Sequence, residues 1–403
     1  MLAMRDRVAG RPLALGGMLA LASAIGIGRF VYTPLLPAMA EGLGLTGGQA
    51  GLIASANFCG YLAGALLAAA RLPGSRRAWL LGALALGAAT TGTMGVASGL
   101  PAFLLLRGIG GAASAFVLVF ASALVLDRLA AAGRGGLAAL HFAGVGAGIA
   151  VSAGLVALPG LGWRELWSAS GLVSLAAAGA VAWLVPGQER AARPVAAQPA
   201  GDGRWLAWWA VAYGLFGFGY VVTATFLVAI VRAEAALRAV EPFVWLVVGL
   251  AAVPSVALWG WGGRRFGLAR SFAAACVVEA AGVAASVLWP GAAGALVAAA
   301  LLGGTFMGLT ALGLAGGRAL SAGDPRRTFA ALTAAFGIGQ IVGPVLAGLL
   351  HDRTGSFGLP SLLAAAALLA AGAMALRVPL RGEAGPRKPM VQCGNSCSDA
   401  GKA

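Results

Sequence analysis

Long apolar runs alternate along the chain with short breaks rich in arginine, proline or glycine. Twelve such runs occupy residues 13–39, 49–70, 79–98, 101–126, 135–157, 164–185, 205–231, 242–261, 271–289, 292–317, 328–350 and 358–376. Each is close to the ~20 residues that a helix needs to cross ~30 Å of hydrocarbon. Helices are the expected form, because lipid leaves every backbone N–H and C=O to be satisfied within its own segment. Six runs, a break and six runs is the coarse order. It predicts an all-α integral membrane protein with six-helix bundles over 13–185 and 205–378. A cytoplasmic linker over 186–204 carries Pro186, Pro194 and Pro199 between charged residues, and tails cover 1–12 and 379–403. The last of these, rich in Gly, Pro, Ser and Lys/Arg, reads as disordered.

Composition agrees with the pattern. Hydrophobic residues make up 60% of the 403 and charged residues 10%, a balance that a soluble multidomain protein would not carry in solution. The net charge of +15 raises nucleic-acid binding as a possibility, and the placement of the charges argues against it. Most of the 28 Lys and Arg fall in the two tails and in every second connection, whereas the alternate connections hold only Arg164, Arg232, Arg238 and Arg353. By the positive-inside rule both termini are cytoplasmic, as an even number of spans requires. The first run is too long for the core of a signal peptide and reads as an uncleaved first helix. Cys59 and Cys276 lie in runs and Cys393 and Cys397 in the polar tail, which is no disulfide framework and a weak metal signal. No cofactor and no metal site are expected.

The halves repeat one another. At an offset of about 193 residues Gly110-Gly111 falls on Gly303-Gly304, Arg134 on Arg327, and Gly144-Val145-Gly146 on Gly337-Ile338-Gly339; at 191, Gly26-Ile27-Gly28 falls on Gly217-Phe218-Gly219. Repeated six-helix halves are a common transporter plan, with the substrate site near mid-membrane between them. Small residues dominate the runs, as helix packing in lipid favours. Gly60/Gly64, Gly144/Gly148 and Gly339/Gly343 are the clearest spaced pairs. Each reads as a close helix contact or as a contact that slides during gating.

Twelve spans in two halves with basic cytoplasmic connections resemble the major facilitator superfamily over residues 12–378. The stretch Gly28-Arg29-Phe30-Val31-Tyr32-Thr33-Pro34-Leu35-Leu36-Pro37, followed by Gln49-Ala50-Gly51 and Ala54-Ser55-Ala56-Asn57-Phe58-Cys59-Gly60-Tyr61, is similar to its uncharacterised YbfB/YjiJ-like bacterial branch. The superfamily's acidic loop signature is degraded here to Ala70-Arg71-Leu72-Pro73-Gly74-Ser75-Arg76-Arg77, and Arg264 stands where the second copy would carry its acid. Asp127 and Arg134 remain as candidate latch residues. The superfamily's Arg-x-x-Gln-Gly-x-Gly motif resembles Arg107-Gly108-Ile109-Gly110-Gly111-Ala112-Ala113. Its antiporter-associated glycine-proline signature is partial in span 5 and fuller as Gly339-Gln340-Ile341-Val342-Gly343-Pro344, which favours export by antiport.

Two cations, Arg29 and Arg107, lie inside runs. With Thr33 in span 1 and Ser114 in span 4 they fall on faces that the resemblance turns toward a central cavity. At 1.5 Å per residue Arg29 lies about 25 Å along its helix and Arg107 about 9 Å, both in the outer half of the membrane. The pair is read either as an anion site, since guanidinium pairs bidentately with carboxylate or phosphate, or as snorkelling and backbone support near Pro34 and Pro37. Asn57, Tyr61, Tyr213, Tyr220 and Gln340 suit an amphipathic organic ligand. Glu279, the acid in mid-span, and His141 are candidate proton carriers. Gly144, Gly148, Gly339, Gly343 and Pro344 join Asp127 and Arg134 as candidate gating residues. Trp163, Trp167, Trp205, Trp208, Trp209, Trp259, Trp261 and Trp289 read as interfacial anchors.

No phosphate-binding loop, metal-spaced cluster or nucleophile with a partner histidine is present, so no enzyme is expected. The reading is a monomeric secondary active transporter of the bacterial inner membrane that exports a small organic solute against protons by alternating access. The alternatives are organic-anion uptake or exchange through Arg29 and Arg107, and a nontransporting membrane sensor or scaffold.

Overall fold

A computed structural model of the protein describes residues 2–70, 72–187, 203–321 and 325–380. Most of the predicted linker, the tail beyond residue 380, and Cys393 and Cys397 lie outside the described residues. The described elements are helical. They are α1 (Leu2–Leu21), a π-helical segment (Ala22–Ile27), α2 (Tyr32–Leu43), α3 (Gly47–Ala68), α4 (Arg76–Thr93), α5 (Leu100–Ala131), α6 (Ala138–Val156) and α7 (Trp163–Leu184) in the first half. The second half holds α8 (Gly203–Ala233), α9 (Glu241–Phe266), α10 (Leu268–Leu288), α11 (Ala292–Ala319), α12 (Pro325–Thr354) and α13 (Gly358–Leu376). Among the described residues eleven spans, the first from Gly10 to Leu43, are long and apolar enough to cross a membrane. The third predicted span, α4, falls outside that set: it has 18 residues and opens on Arg76 and Arg77, which lowers its mean hydropathy. Large apolar side chains such as Leu67, Leu105, Leu172, Trp183 and Leu250 stand exposed on the outer surface, as lipid contact requires. The protein is a multi-pass membrane protein.

The first predicted span is not one regular helix, and proline chemistry explains why. Pro34 has no N–H to donate and its ring crowds the carbonyl four residues back. The chain answers with a π segment, in which the Gly28 N–H bonds the Ser23 carbonyl at 2.9 Å and the Phe30 N–H the Ile25 carbonyl at 3.2 Å. The Thr33 N–H then bonds the Phe30 carbonyl at 3.2 Å instead of that of Arg29. The Gly28 and Arg29 carbonyls are thereby released from the helix at the level of the Arg29 side chain.

Helices pack closely through glycine. A Cβ on Gly60 would overlap the backbone of Gly108, and one on Gly111 that of Asn57, so α3 and α5 meet backbone to backbone. Gly144 and Gly148 likewise lie against Met18, Ala22 and Gly26, while Gly339 and Gly343 lie against Gly214, Phe218 and Val221. Both spaced pairs therefore sit inside a bundle, joining the fifth span to the first and the eleventh to the seventh.

The two halves meet along three helix pairs, α3 with α12, α6 with α9, and α2 with α8. The first two pairs are related by the sequence repeat, which exchanges span 2 with 8 and span 5 with 11. The Thr33 hydroxyl donates to the Ala224 carbonyl at 2.6 Å, joining two positions 191 residues apart and so related by the repeat itself.

Candidate solute site at the bundle interface

Arg107 is held by the break in the first span through two of its three guanidinium nitrogens, its buried Nε having no partner. Its Nη1 donates to the Gly28 carbonyl at 2.8 Å and its Nη2 to the Arg29 carbonyl at 2.9 Å, the two acceptors that Pro34 displaced. The Asn57 amide donates to the Arg107 carbonyl at 3.0 Å, and the rings of Tyr32 and Trp167 flank the guanidinium at 5.2 and 5.8 Å. The sequence left Arg107 open between an anion site and backbone support. Its hydrogen bonds make it the support of a kinked helix, since hydrogen bonds to a charged group contribute about 1.5–3 kcal/mol each.

Arg29 differs. It is 7% exposed, and its Nε and Nη2 have no hydrogen-bond partner. The guanidinium carbon lies 4.1 Å from the Tyr61 ring centre, 5.3 Å from that of Phe58 and 6.0 Å from that of Phe30. Cation–π contacts are worth roughly 2 kcal/mol when desolvated, against several for burying an unpaired charge. Aromatic rings alone leave that cost partly uncovered.

Across the interface α8 presents Trp209, Tyr213, Phe216 and Tyr220 on one face, the spacing of a single helical stripe. Tyr213 stacks on Phe336 at 4.7 Å, Tyr220 on Phe306 and Phe336 at 5.8 and 5.9 Å, and Phe30 reaches Phe306 and Trp245 from the other bundle at 5.8 and 6.3 Å. The Gln340 amide donates to the Tyr220 hydroxyl, leaving the Gln340 carbonyl oxygen without a partner. The Tyr213 hydroxyl donates to the Thr310 carbonyl at 3.3 Å. Glu279 is fully buried and neither carboxylate oxygen has a geometric hydrogen-bond partner; the neighbouring Thr305 hydroxyl donates to the Leu301 carbonyl at 2.6 Å.

The remaining predicted residues are dispersed. Ser114 bonds the Gly111 carbonyl of its own helix at 2.8 Å. His141 lies within the first bundle, 3.2 Å from the Ser122 hydroxyl through Nε2. Asp127 is exposed, and Arg134 lies beside Gly10 at the terminus-bearing end. Pro344 faces Gly51 across the α3–α12 seam. Two of the predicted tryptophan anchors are core residues: Trp167 and Trp209 are fully buried, and the Trp209 indole N–H donates to the Gly313 carbonyl at 2.7 Å. A span-end position did not reveal this, because α8 continues well past Trp209 into the bundle.

Sequence patterning missed a seal at the end away from the termini. The Asp352 carboxylate accepts from the Gly47 and Gly48 N–H groups at 2.6 and 2.8 Å, capping the start of α3 from the opposite bundle. Thr46 and Gln49 complete that helix start with a capping box. Arg232 of α8 pairs with Glu241 at 2.7 Å and with Glu41 of the other bundle at 3.6 Å. The Ser55 hydroxyl donates to the Ile341 carbonyl at 2.7 Å further along the seam. The available signal was an acid at the end of span 11 facing a Thr-Gly-Gly-Gln helix start.

Two helical bundles with a charged, aromatic layer between them and a seal at one end define a membrane transporter of the major facilitator type. Residues 21–376 match the family model described as the uncharacterised MFS-type transporter YbfB, and the chain belongs to that family. It is similar in structure to the nucleoside transporter NupG, with a TM-score of 0.69 and 14% identity over 90% of this chain and 99% of that one. A bacterial homologue of the human lysosomal transporter Spinster, solved inward-facing and unoccupied, gives 0.59 and 16% over 92% and 95%. Among curated proteins no sequence matches.

Proposed function

We propose that this MFS-type protein is a secondary active transporter of the bacterial inner membrane that works by alternating access, with both termini in the cytoplasm. The observation that carries this reading is the seal at the end away from the termini, where Asp352 on Gly47 and Gly48, and Arg232 on Glu41, tie the bundles together. On the charge bias of the connections that end is periplasmic, and the described state is closed to the outside. The solute site is the layer of Arg29, Tyr61, Tyr220 and Gln340 at the interface.

Transport is coupled to protons through Glu279, and export is the direction we assign on the glycine-proline signature of span 11. Glu279 is favoured over His141 because neither of its buried carboxylate oxygens has a hydrogen-bond partner, whereas the His141 Nε2 is paired with the Ser122 hydroxyl. Glu279→Gln is expected to abolish proton-driven flux in liposomes while leaving solute exchange across the same vesicles intact. Loss of exchange together with driven flux would assign Glu279 to solute binding or folding instead.

A further inference from the structure

With two Arg107 nitrogens held by the Gly28 and Arg29 carbonyls, Arg29 is the less committed of these two cations among the described residues of the interface. Arg29 is more than nine-tenths buried, and two of its three guanidinium nitrogens have nothing to donate to. Glu279, the acid of the same layer, leaves both its oxygens unpartnered and forms no ion pair with it. Among the described residues no carboxylate pairs with Arg29, and the aromatic rings around it stand in for a counterion. A cation held this way is matched by an anion that arrives and leaves.

The surroundings narrow the class of that anion. One guanidinium balances one negative charge, which suits a monocarboxylate better than a phosphate dianion. In the described state Phe30, Phe58, Tyr61, Tyr220 and Phe306 pack on one another and on Arg29; parting to admit the body of a solute, they would favour a flat unsaturated group over an extended polar one. The Tyr220 hydroxyl accepts from Gln340 and retains its own proton, a second donor from the opposite bundle for the carboxylate. A ligand gripped by Arg29 on one bundle and Tyr220 on the other touches both moving parts, so its binding can report to the seal.

We infer that the central site takes a small aromatic monocarboxylate, its carboxylate on Arg29 and its ring among the interface aromatics. This rests on the transporter reading above and deepens it by naming the solute class. Thermal unfolding of the full-length protein in detergent tests it, with benzoate, propionate, inorganic phosphate and benzylammonium compared at matched ionic strength. Benzoate should stabilise the protein most, propionate less, and phosphate and benzylammonium no more than the salt control. Arg29→Gln should weaken the benzoate response about tenfold or more, Arg29→Lys should retain part of it, and Tyr220→Phe should weaken it with the fold intact. A benzoate response that is unchanged in Arg29→Gln and Tyr220→Phe, a benzylammonium response that equals it, or no response to any of the acids in a folded protein would overturn the assignment. Alternating access is read separately, from distances between the bundles, so loss of the solute class leaves the transporter reading standing or falling on its own data.

Discussion

Replacing Arg107 by alanine should cost about 3–5 kcal/mol of stability, from two charge-assisted hydrogen bonds lost in a water-poor environment. Two backbone carbonyls, those of Gly28 and Arg29, would be left without donors at the kink made by Pro34. Lipid and packed side chains offer no replacement there. Arg107→Lys keeps the charge but cannot span both acceptors in the planar fork of a guanidinium, and should lose roughly half as much. Thermal unfolding in detergent reads both variants, with Arg29→Lys as a control that leaves the kink untouched. An Arg107→Ala protein of unaltered stability that fails only to bind solute would return this arginine to the solute site.

Neutralising Asp352 should open the seal rather than unfold the protein. Its carboxylate bonds two N–H groups at the start of α3, where the helix dipole adds to the attraction. Asparagine retains one acceptor atom and loses the charge. Allowing for its exposure to solvent, the loss is about 1–2 kcal/mol, or a 5- to 30-fold shift of the bundle equilibrium toward the open form. A cysteine placed at Ala50, which lies by the seam, should then react faster with a membrane-impermeant thiol reagent in the Asp352→Asn background. Equal reaction rates in the two backgrounds would show that the contact contributes nothing to closure.

Span count and fold family were legible because each hydrophobic run is long and its breaks are charged, so composition alone sets the period of the chain. The bend in the first span was half legible. Pro34 announced a kink, but which donor repairs it depends on α5 crossing that kink 78 residues later, a tertiary fact. Arg29 and Arg107 look alike as isolated cations in apolar runs. Both face aromatic rings, and they part company only when the geometry shows Arg107 bonded to two carbonyls and Arg29 with two nitrogens unpartnered. The aromatic stripe at Trp209, Tyr213, Phe216 and Tyr220 was readable by helical spacing, yet its first member passed for an interfacial anchor. The seal was invisible for a different reason. Asp352 and Gly47 lie 305 residues apart, and neither belongs to a pattern until α3 and α12 are brought together.

The central claim is that the two bundles rock about the Arg29–Tyr220 layer. Spin labels in a cysteine-free background test it most directly, one pair at Leu161 and Ser356 beside the seal and one at Ala132 and Arg265 at the terminus-bearing end, four positions that are exposed. On lowering the pH, or in the Asp352→Asn background, the first distance should lengthen as the second shortens, with or without benzoate. Distances that stay fixed at both ends under both changes, or that lengthen together, would contradict alternating access.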